Sequence, residues 1–173
     1  VRPFDHLRKS LLPELVTKRS ATRVLSFWCI GCSTGQEPYS IALILREYFP
    51  DLLSWDVEIL ASDISAEAIH AAQAGLYNQI EVNRGLPVAL LVKHFQKDRL
   101  SWRLKEEVRR MVQFHQMNVF QPWPAVRKFD GIFLRNVMLY FDVPTKRQVV
   151  ARVLSVLKPG GHLLIGHSET LND

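Results

Sequence analysis

Apolar residues along this chain fall into short runs separated by glycine, proline and acidic residues, and the runs alternate between two periods. Val24-Leu25-Ser26-Phe27-Trp28-Cys29 is almost continuously apolar and predicts a buried strand. The turn Gly31-Cys32-Ser33-Thr34-Gly35 follows it. Ile41, Ile44, Leu45 and Tyr48 then recur at helical spacing, which predicts a helix from Pro38 to about Phe49. A proline in the first helical turn removes an N–H that would lack a partner there anyway. Pro50-Asp51 ends that helix. Val57-Glu58-Ile59-Leu60-Ala61 predicts a second strand that stops at Ser62-Asp63. Ser65 is placed to cap a helix from Ala66 to Ala74, and Gly75 to terminate it.

Residues 76–103 show the weakest pattern. They hold Asn83-Arg84-Gly85, Pro87 and an aromatic, basic stretch around Phe95 and Trp102. Leu104, Val108, Met111 and Val112 resume helical spacing, and Val112-Gln113-Phe114 predicts the start of a third strand. Phe129-Asp130-Gly131-Ile132-Phe133-Leu134 reads as a fourth. A helix from about Pro144, with Val149, Val153, Val156 and Leu157 on one face, leads to Lys158-Pro159-Gly160-Gly161. His162-Leu163-Leu164-Ile165 reads as a fifth strand. This alternation predicts one α/β domain over residues 1–173, doubly wound on a mainly parallel sheet, with a small irregular insertion near 76–111. Ligands of such sheets lie beyond the C-terminal ends of the strands, so functional residues are expected just after each strand.

Composition removes other classes. The chain has 173 residues, 47% of them hydrophobic and 23% charged, which suits a domain that buries its own core. A disordered, collagen-like or disulfide-framework protein is excluded. Aliphatic runs such as Val88-Ala89-Leu90-Leu91-Val92 fall far short of the roughly 20 residues of a membrane span, and the chain opens with no targeting pattern. No direct membrane insertion is expected. The net charge of +5 favours anionic partners. The basic residues are scattered in pairs (Arg8-Lys9, Lys18-Arg19, Arg109-Arg110), which speaks against a nucleic-acid surface.

At the end of the first strand, Gly31 and Gly35 let a ligand approach the backbone. The run is neither a dinucleotide fingerprint nor a phosphate loop. Glu37 stands where a dinucleotide would place pyrophosphate, and an acid there suits a cationic or zwitterionic ligand, or else complements the helix dipole. Asp63, after the second strand, is placed to accept hydrogen bonds from both hydroxyls of a ribose; a loop or capping role is the alternative. Asn118-Val119 and Arg135-Asn136 follow the third and fourth strands, and Tyr140 lies in the apolar run after the latter.

Cys29 and Cys32 form Trp-Cys-Ile-Gly-Cys, which looks like a redox dithiol motif. A redox thiolate belongs at a helix N-terminus, however, and here Gly35 and Pro38 delay the helix. No further ligands are spaced for zinc, so no metal is expected. Two unpaired cysteines fit a reducing, cytoplasmic location. His162 and His167 flank the last strand and read as structural.

The glycine turn, the acid after the second strand and Leu-Lys-Pro-Gly-Gly before the last resemble class I S-adenosylmethionine-dependent methyltransferases. Three runs narrow the resemblance. Cys32-Ser33-Thr34-Gly35-Gln36-Glu37-Pro38-Tyr39-Ser40, Phe129 through Phe141, and Gly166-His167-Ser168-Glu169 are similar, in order, to motifs of the CheR family of chemotaxis-receptor glutamate O-methyltransferases. The resemblance implies a Rossmann-like fold, S-adenosyl-L-methionine as cofactor and S-adenosyl-L-homocysteine as product. It implies cofactor contacts from Glu37, Asp63, Asn118, Val119, Arg135 and Asn136, and catalytic roles for Tyr140, close to the transferred methyl, and Arg135. The implied partner is the cytoplasmic helical region of methyl-accepting receptors, not nucleic acid.

Departures from the family pattern carry expectations of their own. Gln36 replaces the first Glu of a pair, and Ser65 the second Asp of Asp-Ile-Asp. Residues 90–103 lack the glycine-containing loop of members that dock on a receptor-tail peptide, which speaks against such docking. The family's Asn-x-Thr-x-Phe-Phe-Arg run would stand before Val1, so the chain reads as a methyltransferase core cut from a longer protein at both ends. A cofactor-binding module without turnover and a nucleic-acid methyltransferase are the competing readings. Base amino-group methylators carry Asn/Asp-Pro-Pro-Phe/Tyr after the fourth strand, where this chain has Arg135-Asn136-Val137-Met138.

Overall fold

The computed structural model describes residues 3–124, 127–167 and 169. A helix occupies the segment before the first strand, which the hydrophobic pattern left unassigned. It has three parts: α1 (Pro3–His6), a π-helical turn (Leu7–Leu11) and α2 (Leu12–Arg19). Leu12 N–H bonds back to Leu7 O, the wider spacing of a π turn. That turn precedes Pro13, which has no N–H to give and crowds the preceding turn. The extra residue also shifts the phase of the apolar stripe, yet Leu7, Leu11, Leu12 and Leu15 are all buried.

The main sheet contains β1 (Val24–Ile30), β2 (Asp56–Asp63), β6 (Val112–Gln116), β7 (Phe129–Leu134) and β8 (Leu157–Ile165). Its order is β6-β2-β1-β7-β8 and every pairing is parallel. Alternation along β1 shows why helices are needed on both faces. Leu25, Phe27 and Cys29 join one core, with residues of α2 and of α3 (Gln36–Tyr48). Trp28 and Ile30 join the other, with Val149 and Val153 of α8 (Val143–Ser155). The doubly wound α/β architecture expected from the sequence is the one observed.

Two elements are as read from local signals. Helix α4 (Ala66–Ala74) is capped by Ser65, whose hydroxyl accepts from Ala68 N–H, and ends at left-handed Gly75. Strand β8 is longer than expected, because it begins at Leu157 and runs through Pro159-Gly160-Gly161. It is an edge strand, where a proline leaves no partner's ladder bond unmade. The register slips between Phe129 and Gly131, so the extra residues form an irregularity.

The segment near 76–111, expected to be irregular, is folded. It contains β3 (Leu76–Asn78), α5 (Gln79–Asn83), α6 (Val88–His94), β4 (Phe95–Asp98), β5 (Ser101–Leu104) and α7 (Glu106–Arg109). The strands form an antiparallel sheet ordered β3-β5-β4. Each is too short to show a period alone, but the sheet buries Tyr77, Phe95 and Leu104 against the main core. Among the described residues, no helix is long and apolar enough to cross a membrane.

Candidate active site

Parallel pairing brings the ends of all five main strands to one edge, and the residues singled out from the sequence gather there. The turn after β1 needs left-handed backbone at Gly31 (φ 68°), Ser33 (φ 49°) and Gly35 (φ 92°). A Cβ on Gly31 would sit 2.6 Å from Val137 Cγ2, so the turn packs directly on the segment after β7. Asp63 holds the turn from the neighbouring strand. Its Oδ2 accepts from Ser33 N–H at 2.9 Å and its Oδ1 from Ser65 N–H at 2.9 Å. Both oxygens are therefore engaged with backbone, but an ionised carboxylate offers about four acceptor positions, so capacity remains.

Helix α3 starts at Gln36, directly after left-handed Gly35. Glu37, in its first turn, points to the end of β7, where Arg135 NH1 donates to Glu37 Oε2 at 2.7 Å. Burial raises the Glu37 carboxyl above its ordinary value; the Arg135 guanidinium and a hydrogen bond from the Cys29 thiol oppose the rise, and the Glu169 charge adds to it. Arg135 Nε is buried without a hydrogen-bond partner among the described residues.

After β6 the chain makes a tight turn. Asn118 Oδ1 accepts from Phe120 N–H at 3.0 Å, which leaves its NH₂ group free to donate elsewhere. The sequence pattern does not reveal what pins this turn. Arg152 of α8 donates to Val119 O (2.7 Å) and Gln121 O (2.6 Å), and its guanidinium lies 4.3 Å from the Trp123 ring centroid. Trp123 stacks edge-on against Trp28, whose indole N–H donates to Ser62 Oγ, next to Asp63.

Asn136 is left-handed (φ 58°), and the 3₁₀ turn Met138–Tyr140 follows. Tyr140 is 90% exposed, so its hydroxyl is open to a large acceptor. Glu37, Asp63, Asn118, Val119, Arg135 and Asn136 thus share one edge with Tyr140 at its rim. Glu169, the last residue of the Gly-His-Ser-Glu run, has no role legible in the sequence; it bonds the segment after β7.

The two cysteines lack the surroundings of a redox thiolate. Both are free and buried. Burial, with help from Glu37 and Cys32, pushes the Cys29 thiol well up. Burial and Asp63 push Cys32 up to about 12. A reactive thiolate needs the opposite shift.

A cavity of about 690 Å³ lies beside the strand ends, between Phe4 and Arg8, helix α3 and the small sheet. Tyr77 links it to the site, because its hydroxyl donates to Thr34 O at 2.7 Å. The cavity has its own charged lining in Asp5, Arg8, Glu81 and Arg84, but Glu37, Asp63, Asn118, Arg135 and Asn136 stand at the strand ends and do not line it.

Over residues 1–173 the sequence matches the family described as CheR methyltransferase, SAM binding domain. The chain belongs to the CheR methyltransferase family. Chemotaxis protein methyltransferase 1 of Pseudomonas aeruginosa is 37% identical over 99% of this chain and 64% of its own length. Chemotaxis protein methyltransferase of Borreliella burgdorferi is 39% identical over 97% of this chain and 61% of its own. This CheR chain therefore spans a little under two-thirds of the curated relatives it matches. Among solved structures, PKMT2 of Rickettsia typhi in complex with AdoHcy aligns with a TM-score of 0.51 at 14% identity, covering 83% of this chain and 21% of that one. The glycopeptide N-methyltransferase MtfA complexed with sinefungin aligns at 0.50 and 15% identity, covering 90% and 48%. At such identities these two establish the fold alone, a class I methyltransferase-like sheet.

Proposed function

We propose that this CheR domain catalyses methylation of glutamate carboxylates on chemotaxis receptors, with S-adenosyl-L-methionine as methyl donor, in the cytoplasm. The observation that carries the reading is the Glu37–Arg135 pair at the strand ends beside Asp63. A half-buried acid next to a guanidinium with an unmet N–H suits the zwitterionic amino-acid end of that cofactor. A carboxylate with spare acceptor positions suits vicinal ribose hydroxyls, and the left-handed glycine turn lets a ligand lie against backbone. The residues present fit the group.

When bound, the cofactor supplies a sulfonium methyl open to in-line displacement. Glu37 attracts its ammonium, Arg135 and Asn136 shape the pocket floor, and Asp63 holds the ribose. Asn118 and Val119 border the remaining edge. The acceptor glutamate has an ordinary pKa of about 4.3 and is already ionised near neutral pH, so no general base is required. Tyr140 orients that carboxylate by hydrogen bond, and the site contributes alignment and exclusion of water. The net charge of +5 favours encounter with acidic receptor helices.

Two measurements on the complete protein test this: calorimetry with the cofactor, and tritium transfer to receptor cytoplasmic fragments. Cofactor binding with label in receptor glutamates is expected. Binding without receptor labelling, or label appearing in RNA instead, overturns the assignment.

Tyr140→Phe is expected to slow transfer roughly tenfold, since a hydrogen bond to a charged group contributes about 1.5–3 kcal/mol. Its cofactor affinity should stay within about twofold of wild type, because Tyr140 stands at the exposed rim. A variant at full rate removes Tyr140 from the chemistry.

A pH dependence also follows. Only ionised Glu37 attracts the ammonium, and burial raises its pKa above the ordinary carboxylate value. Cofactor affinity should therefore weaken on acidification before an exposed glutamate would titrate. Calorimetry as the pH is lowered from neutrality should show the decline in wild type and a flatter profile in Glu37→Gln. Parallel profiles would place the titrating group elsewhere.

A further inference from the structure

The Gly-His-Ser-Glu run has no part in the proposed chemistry, yet its glutamate makes a concentrated set of contacts. Glu169 Oε2 accepts from Gly166 N–H at 2.7 Å and from Asn136 N–H at 2.8 Å. Its Oε1 accepts from Met138 N–H at 2.8 Å. Hydrogen bonds to an ionised acceptor are among the stronger ones in proteins. Two of these three donors belong to the segment after β7, which carries Arg135 at one end and Tyr140 at the other.

That segment needs such support. Asn136 has φ 58°, in the left-handed region, which asparagine enters more readily than most residues but still at a cost, so contacts that hold the backbone there stabilise the segment. Gly166 is part of the same device. A Cβ there would strike the Glu169 carboxylate, and would lie 2.7 Å from Asn136 Oδ1 and 3.1 Å from Asn136 N. The glycine makes room, and the glutamate ties the end of β8 to the loop of β7.

We propose that Glu169 is a positioning residue of the methyl-transfer site. It fixes the backbone of residues 136–138, and so sets where Tyr140 and Arg135 stand. The rate component of this inference rests on the function proposed above; the anchoring component does not.

Glu169→Gln keeps the shape of the side chain but replaces one acceptor oxygen with a donor. In the complete protein, amide hydrogen exchange of Asn136 and Met138 should accelerate at least about tenfold in this variant. Protection along β1 and β2 should remain as in wild type. The transfer rate should fall about tenfold or more, with cofactor affinity less affected, and adding Tyr140→Phe should cost little further rate. Gly166→Ala, which displaces Glu169 by crowding, should reproduce the loss of protection. Unchanged exchange at Asn136 and Met138 in both variants overturns the anchor, as does faster exchange with an unaltered transfer rate. A wild-type protein that transfers no methyl to receptor, while Glu169→Gln still loses protection at those amides, overturns the function proposed above and upholds the anchor.

Discussion

Asp130→Ala is expected to destabilise the domain by about 3 kcal/mol, measured as a shift of the urea unfolding midpoint at constant slope. Asp130 is fully buried near the start of β7. Its Oδ1 accepts from Arg19 Nε at 2.7 Å; its Oδ2 accepts from Lys158 Nζ at 2.8 Å and from Ser26 N–H at 2.9 Å. Truncation strands all these donors at once. Breaking a buried ion pair by removing one partner typically costs about 3–5 kcal/mol. The lower end applies here, because the Arg19 and Lys158 side chains each keep 22% exposure and can turn toward water. Ser26 N–H cannot, so part of the loss has no remedy. This carboxylate is the joint between α2, β1, β7 and β8, at the edge opposite the site. Cofactor affinity measured well below the melting transition should therefore be unchanged. A loss under about 1 kcal/mol would show that the network contributes little.

That joint was invisible in the sequence, and the reason is instructive. Features that one stretch of chain decides alone were legible. Helix α4 has its cap, its stop and its alanine-rich body within eleven consecutive positions, and Ser65 and Gly75 act where they were expected. Strand β7 has an apolar run bounded by Lys128 and Arg135, and its limits were read correctly. The helix over Pro3–Arg19 was not legible because Pro3 and Pro13 punctuate it, and because a π turn slides one half of its apolar stripe past the other. The small sheet failed because strands of three or four residues gain meaning only beside their partners.

The candidate site divides in the same way. Its candidates were named because topology sends ligands to the strand ends and the family resemblance chose among the residues there; the structure brings them to one edge. Their partners were not found. Glu37 bonds Arg135 across 98 positions, and Asp130 bonds Arg19 across 111. Arg152 reads as an ordinary basic residue late in a helix, yet it holds the turn that contains Asn118. Pairings of this kind follow from the packed sheet, and no local period encodes them.

Asp63 carries the second large effect. Asp63→Ala is expected to weaken cofactor binding at least tenfold, and on the order of a hundredfold if both hydroxyl bonds form, since a hydrogen bond to a charged group contributes about 1.5–3 kcal/mol. The structure complicates that number. Asp63 also accepts from Ser33 N–H and Ser65 N–H, so truncation loosens the glycine turn and the cap of α4 as well. A fall in affinity alone would not separate a ribose contact from a collapsed turn. Ribose-modified S-adenosylhomocysteine makes the separation. If Asp63 receives the hydroxyls, wild type should lose about tenfold when either the 2′- or the 3′-hydroxyl is absent, whereas Asp63→Ala should bind the deoxy and parent compounds alike. Should the variant still discriminate among them as wild type does, Asp63 acts only through Ser33 and the turn. The ribose would then be held elsewhere along the strand ends.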